Sequence, residues 1–106
     1  MNSIIYNKLV RDKIPDIIER SGKIAITEIL SDEQYIKMLD KKLIEELDEY
    51  QNSKDVEELA DLLEVIFTIV EAKGIHITEF EQIRKEKVDK RGGFKQKILL
   101  KEVVDK

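Results

Sequence analysis

The chain is expected to be all-α, with a helical hairpin at the centre of a four-helix-type bundle and short extended segments near both ends. Three observations predict this class. Apolar residues recur at steps of three and four along two long stretches, Ile36 to Tyr50 and Val56 to Ala72. Three helical patterns open on a capping-box signature: Ser31 with Gln34, Asp55 with Glu58 and Thr78 with Glu81. The segment between the two long patterns is short and polar, with Asn52-Ser53 as the expected turn, so the flanking helices should be antiparallel neighbours.

Length and composition set the frame. A chain of 106 residues suits one domain, small enough that oligomerisation can complete its core. Hydrophobic residues are 42% and charged residues 40%, as in a helical protein with a heavily solvated surface. The net charge of -4 supplies no general basic field for nucleic acid, so no nucleic-acid partner is expected. Cysteine is absent, which removes disulfides, thiolate zinc sites and thiol nucleophiles together. Residues 1–5 lack the features of a signal peptide, and no apolar run approaches the ~20 residues needed to span a bilayer. The expectation is a soluble cytoplasmic protein with no membrane partner.

In chain order, Tyr6 to Pro15 mixes apolar and basic residues, and Pro15 suits the first turn of a short helix over 16–20, with Gly22 as its stop. Lys23 to Leu30 is rich in β-branched residues and reads as an extended piece or short strand. The second helix is expected from the Ser31 cap to near Gln51. The third, Val56 to Ala72, is apolar on more than one face, so it should be central in the bundle or packed against another subunit. Lys73-Gly74 ends it with a cation and then a glycine. A fourth helix should stop at Arg91-Gly92-Gly93, and Phe94 to Lys106 is either a strand pairing with the earlier extended piece or an arm crossing a partner.

The residues that point to chemistry lie from Glu45 to Asp61. Glu46 and Glu49 are three apart, Glu58 and Asp61 are three apart, and the pairs flank Asn52-Ser53 in mirror fashion. In an antiparallel hairpin Glu49 then meets Glu58 and Glu46 meets Asp61, and such a cluster repels itself unless a cation occupies it. The neighbouring Lys41 and Lys42 precede the acids, the weaker orientation for helix ion pairs. Asp61 lies among Leu59, Ala60, Leu62 and Leu63, where a carboxylate needs a cation, an arginine or a proton. Hard oxygen donors with no cysteine and one histidine, His76, favour Mg2+, with Mn2+ also acceptable, over zinc. His76 has no companion ligand and is expected to be structural. Glu64 either extends the acid face or meets a lysine, and the aromatic residues Tyr6, Tyr35, Tyr50, Phe67, Phe80 and Phe94 are expected mostly in the core.

These residues resemble the MazG-like nucleotide pyrophosphohydrolase superfamily, whose signature Glu-Glu-x-x-Glu, a gap, then Glu-x-x-Asp is met by Glu45, Glu46, Glu49, Glu58 and Asp61. The likeness is nearest to small phosphoribosyl-ATP pyrophosphohydrolase-like proteins, which carry Asn-Lys-Leu-Val-Arg-Asp-Lys-Ile-Pro near the start and Arg-Gly-Gly-Phe near the end. Here these are Asn7 to Pro15 and Arg91 to Phe94, so the resemblance spans nearly the whole chain. One departure is that only eight residues separate Glu49 from Glu58, as though a helical turn were missing from the family's usual gap.

The resemblance implies an all-α MazG-like fold and hydrolysis of the α-β phosphate bond of a nucleoside triphosphate, giving a monophosphate and pyrophosphate. It implies Glu46, Glu49, Glu58 and Asp61 as metal ligands, with Glu45 a ligand or the base for the attacking water. Phosphate-binding candidates are Arg11, Lys13, Lys87 and Arg91, with Arg84 as readily an exposed basic helix residue. The implied assembly is a homodimer or homotetramer. Alternatives are the phosphoribosyl-ATP enzyme of histidine synthesis and a non-catalytic helical protein that senses metal or nucleotide.

Overall fold

A computed structural model describes residues 2–106. They form four α-helices, α1 (Ile14–Arg20), α2 (Asp32–Ser53), α3 (Val56–Ala72) and α4 (Ile77–Arg91). No strand occurs among the described residues. The all-helical class is as expected, and α3 has the bounds that its apolar period predicts.

Each helix end has a local cause. Pro15 sits in the first turn of α1, whose missing donor costs nothing there, and Arg20 pairs with Asp16 one turn earlier. The Ser31 box closes as predicted: Gln34 N donates to Ser31 Oγ at 3.2 Å and Ser31 N to Gln34 Oε1 at 3.2 Å. The other two boxes do not close. Asp55 is the first residue before α3, but its side chain caps nothing, because Glu58 turns its carboxylate toward the acids of α2 instead. At α4 the cap is His76, whose Nδ1 accepts from Thr78 N at 3.1 Å, while Glu81 pairs with Arg84 at 3.0 Å. The structural role expected of His76 is thus a helix cap.

The turn of the hairpin also differs from expectation. Asn52 and Ser53 remain helical, and the chain reverses at Lys54-Asp55. Lys54 takes the left-handed conformation at φ 61°, its N–H bonding to Tyr50 O at 2.7 Å and its ammonium lying 5.5 Å from the centre of the Tyr50 ring. These contacts hold a non-glycine residue in a region that side chains usually avoid. The two acid pairs are therefore centred between Ser53 and Lys54.

The core lies in the half of the hairpin away from this turn. Leu39 is 2% exposed, and Val65 and Val70 are the other buried apolar residues. Phe67 meets Phe80 edge-on at 6.4 Å between centroids, which attaches α4 to α3. The broad apolar surface of α3 is only partly used, since Leu59 and Leu63 remain 41% and 47% exposed. Residues 23–30 and 94–106 form no ladder, and their apolar side chains are largely in solvent, Phe94 at 98% and Tyr6 near the other end at 65%. A β-branched run makes a strand only where a neighbouring strand accepts its hydrogen bonds, and none is present. The shape is correspondingly open: the radius of gyration is 19.0 Å, against about 13 Å for a compact chain of this length.

Candidate metal centre

The mirror spacing brings the acids together as the sequence predicts. On α2, Glu45, Glu46 and Glu49 each offer a carboxylate oxygen within 4.8 Å of the others. Across the hairpin Glu46, Glu58 and Asp61 do the same, so that Glu46 belongs to both groups. Glu46 is the most enclosed, at 7% exposure, whereas Glu49 is open to solvent.

Three cations reach this cluster. Lys42 lies 3.3 Å from Glu45 and 3.3 Å from Glu46, one turn along α2. Lys8 meets Glu45 at 3.2 Å, and Arg11 donates to Asp61 Oδ1 at 2.6 Å. Against the five carboxylates Glu45, Glu46, Glu49, Glu58 and Asp61, these leave two negative charges unneutralised. Two oxygens record that deficit: Glu46 Oε2 and Glu58 Oε2 are buried and accept no hydrogen bond. A buried polar atom without a partner is costly, and a cation, a donor or a proton on the carboxyl would relieve it here.

The titration behaviour follows from the same contacts. Burial pushes the Glu46 carboxyl up, Lys42 offsets part of this, and the charges of Glu49 and Asp61 add to the rise. Glu58 is also raised, by desolvation and then by Glu49 and Asp61. Burial acts upward on Glu45 too, but the hydrogen bonds and charges of Lys8 and Lys42 outweigh it and hold that carboxyl low. Desolvation lowers Lys42, yet Glu45 and Glu46 together raise it above the ordinary value. One helix face thus carries neighbouring carboxyls shifted in opposite directions.

The donor set fits a hard divalent cation. All the groups are carboxylate oxygens, the charge deficit is two, and the two residues with an orphaned oxygen belong to the same trio across the hairpin. Opposed oxygens of an octahedral magnesium site lie about 4.2 Å apart, twice its bond length, within the spread found for each trio.

The basic candidates divide. Arg11 reaches the acids, although its contact is Asp61 itself. Lys13 stands just before α1 and makes no ion pair among the described residues; the same holds for Lys87 and Arg91, exposed on α4. Arg84 is occupied by Glu81. Glu64 forms no ion pair among the described residues, and its carbonyl accepts from the Thr68 hydroxyl at 2.8 Å. Two residues of the centre, Lys8 and Lys42, were not foreseen. Lys42 was discounted by the orientation rule for isolated helices, which ignores that Glu46 is enclosed by α3. Two open depressions on the surface, about 410 Å³ beside Gly74–Ile77 and about 300 Å³ beside Gly93–Ile98, do not include the acids.

A stretch of 42 residues is 48% identical to an uncharacterized protein of Mycolicibacterium smegmatis, covering 40% of this chain and 43% of that protein. No family model and no solved structure matches the chain. No described helix is long and apolar enough to cross a membrane.

Proposed function

We propose that the chain is a MazG-like, magnesium-dependent nucleotide pyrophosphohydrolase. The observation that carries this reading is the pair of buried, partnerless oxygens Glu46 Oε2 and Glu58 Oε2 inside a cluster short of two positive charges. Glu46, Glu49, Glu58 and Asp61 would hold the metal, Mg2+ or Mn2+, whose contribution is to neutralise phosphate charge and to make a water more acidic. The chain's own residues position the reaction. Glu46 is buried and Glu58 half-buried in the hairpin, so both would hold the metal out of bulk water. Glu45, held ionised by Lys8 and Lys42, would be a further ligand or the base that accepts a proton from the attacking water. Arg11, Lys13, Lys87 and Arg91 are the cations available to phosphate oxygens.

The same proposal includes a homodimer or a homotetramer. The chain exposes 10216 Å², where a compact chain of its mass exposes about 6,100 Å². Part of that excess is enough for an obligate interface, which buries about 2,000–5,000 Å² in total over both partners. Leu59 and Leu63 on α3, with Ile44 and Leu47 on α2, are the apolar residues next to the acids that a second copy would cover.

A screen of nucleoside triphosphates and phosphoribosyl-ATP with Mg2+, read by pyrophosphate release, tests the function. Release from a nucleoside triphosphate is expected. Preference for phosphoribosyl-ATP would move the assignment to the histidine pathway, and binding without release from any substrate would leave a sensor of metal or nucleotide.

A further inference from the structure

Residues 2–13 have no regular structure, and Leu9 alone among them is partly enclosed. On either side of Leu9 a cation reaches a different arm of the hairpin: Lys8 goes to Glu45 of α2 and Arg11 to Asp61 of α3. The segment is joined to α1 through the bond from Ile14 N to Arg11 O at 3.0 Å. It therefore lies across the acid cluster as a strap whose polar fastenings to the hairpin are two ion pairs.

The two fastenings are not equivalent. Glu45 keeps Lys42 at 3.3 Å if Lys8 departs, whereas among the described residues Asp61 pairs with Arg11 alone. Arg11 and Asp61 are also open to water, with side chains 58% and 40% exposed, so the pair is weakly held and quickly exchanged. Asp61 shares its trio with Glu46 and Glu58, the residues whose oxygens have no partner.

We propose that Arg11 is an exchangeable internal counter-ion: it occupies Asp61 until a divalent cation takes that carboxylate, and metal binding then frees the guanidinium and undoes one of the strap's two fastenings. The inference rests on the acids being a metal site. It makes loading competitive within the chain, so that the cation must displace a charge already present, and it releases Arg11 beside the site at the moment the metal arrives.

The test is Mn2+ binding to the full chain, measured by the loss of the free-ion paramagnetic resonance signal, for the unaltered protein, Arg11→Ala and Lys13→Ala. Arg11→Ala is expected to bind Mn2+ about two- to fivefold tighter, the range set by an exposed ion pair. Lys13→Ala removes the same charge from an unpaired position and should leave the affinity within about twofold. Because the chain has no cysteine, a spin label at Val10→Cys, between the two fastenings and next to Arg11, reports on the strap directly, and Mg2+ should increase its mobility. If the unaltered protein binds Mn2+ but Arg11→Ala binds it no tighter, or if Mg2+ leaves the label unmoved, the strap is overturned while the metal site stands. If neither protein binds Mn2+, both readings fall.

Discussion

The two halves of the α2–α3 hairpin obey one geometry and hold opposite chemistry. Away from the turn, Leu39, Val65 and Val70 are packed between the helices and supply what the chain has of a core. Near the turn the same interhelical space is filled by Glu46, Glu58 and Asp61, whose charges repel. One half lowers the free energy of the fold and the other raises it in the absence of a counter-ion. The acids therefore add nothing to a core of three buried apolar residues among the described residues, and their cost has to be offset by charge rather than by packing.

The comparison can be broken at either half. The largest effect is expected at the acids: Asp61→Asn or Glu49→Gln should abolish pyrophosphate release, with the helical circular dichroism unchanged. Retained activity in Asp61→Asn would remove the metal assignment. In the apolar half, Leu39→Ala should cost about 2–5 kcal/mol in chemical denaturation, as for other fully enclosed leucines, and should leave metal affinity intact in the protein that remains folded.

Glu46→Gln sharpens the contrast, because it should move the two properties in opposite directions. It removes a carboxyl whose raised pKa marks its ionised form as unfavourable in the fold. The stability tied to Glu46 and Glu58 is complete below the ordinary value of 4.5 and is lost as pH rises through their raised values. Glu45, held low, works the other way: its contribution is present above 4.5 and disappears as pH falls through its lowered value. Metal-free Glu46→Gln should therefore melt higher than the unaltered protein at about pH 8, with little difference near pH 4. Stabilisation by Mg2+ in the unaltered protein should grow between about pH 5 and pH 8, as ligand linkage to the ionised acids requires, and should largely vanish in the variant. The smallest effect belongs to Ser31→Ala, which opens the one closed capping box and should lower stability by about 1 kcal/mol without touching metal affinity.

How much of this was legible depended on whether the governing contact was local. The limits of α3 and the Ser31 box follow from residues within one turn of each other, and both were readable. The convergence of Glu46, Glu49, Glu58 and Asp61 was readable as well, because a two-helix mirror is fixed by spacing. The Asp55 and Thr78 boxes failed where a competitor was available: Glu58 is drawn into the acid cluster, and His76 Nδ1 takes the Thr78 N–H that the Glu81 carboxylate would have accepted. The shift of the turn to Lys54 rests on the contact with Tyr50, which pattern does not encode. Lys8 and Arg11 meet acids 37 and 50 positions away in sequence, so no periodicity could have paired them.

The centring of the acids between Ser53 and Lys54 gives the hairpin a rule of length. Each added residue turns the following part of a helix by about 100°, so an insertion in one arm alone would carry its acids off the shared face. Equal insertions of about one turn in both arms would return all four carboxylates to register and only move the bend farther from them. A hairpin of this kind can grow or shrink in paired turns, which changes its reach at the tip and leaves the opposed acids where they were.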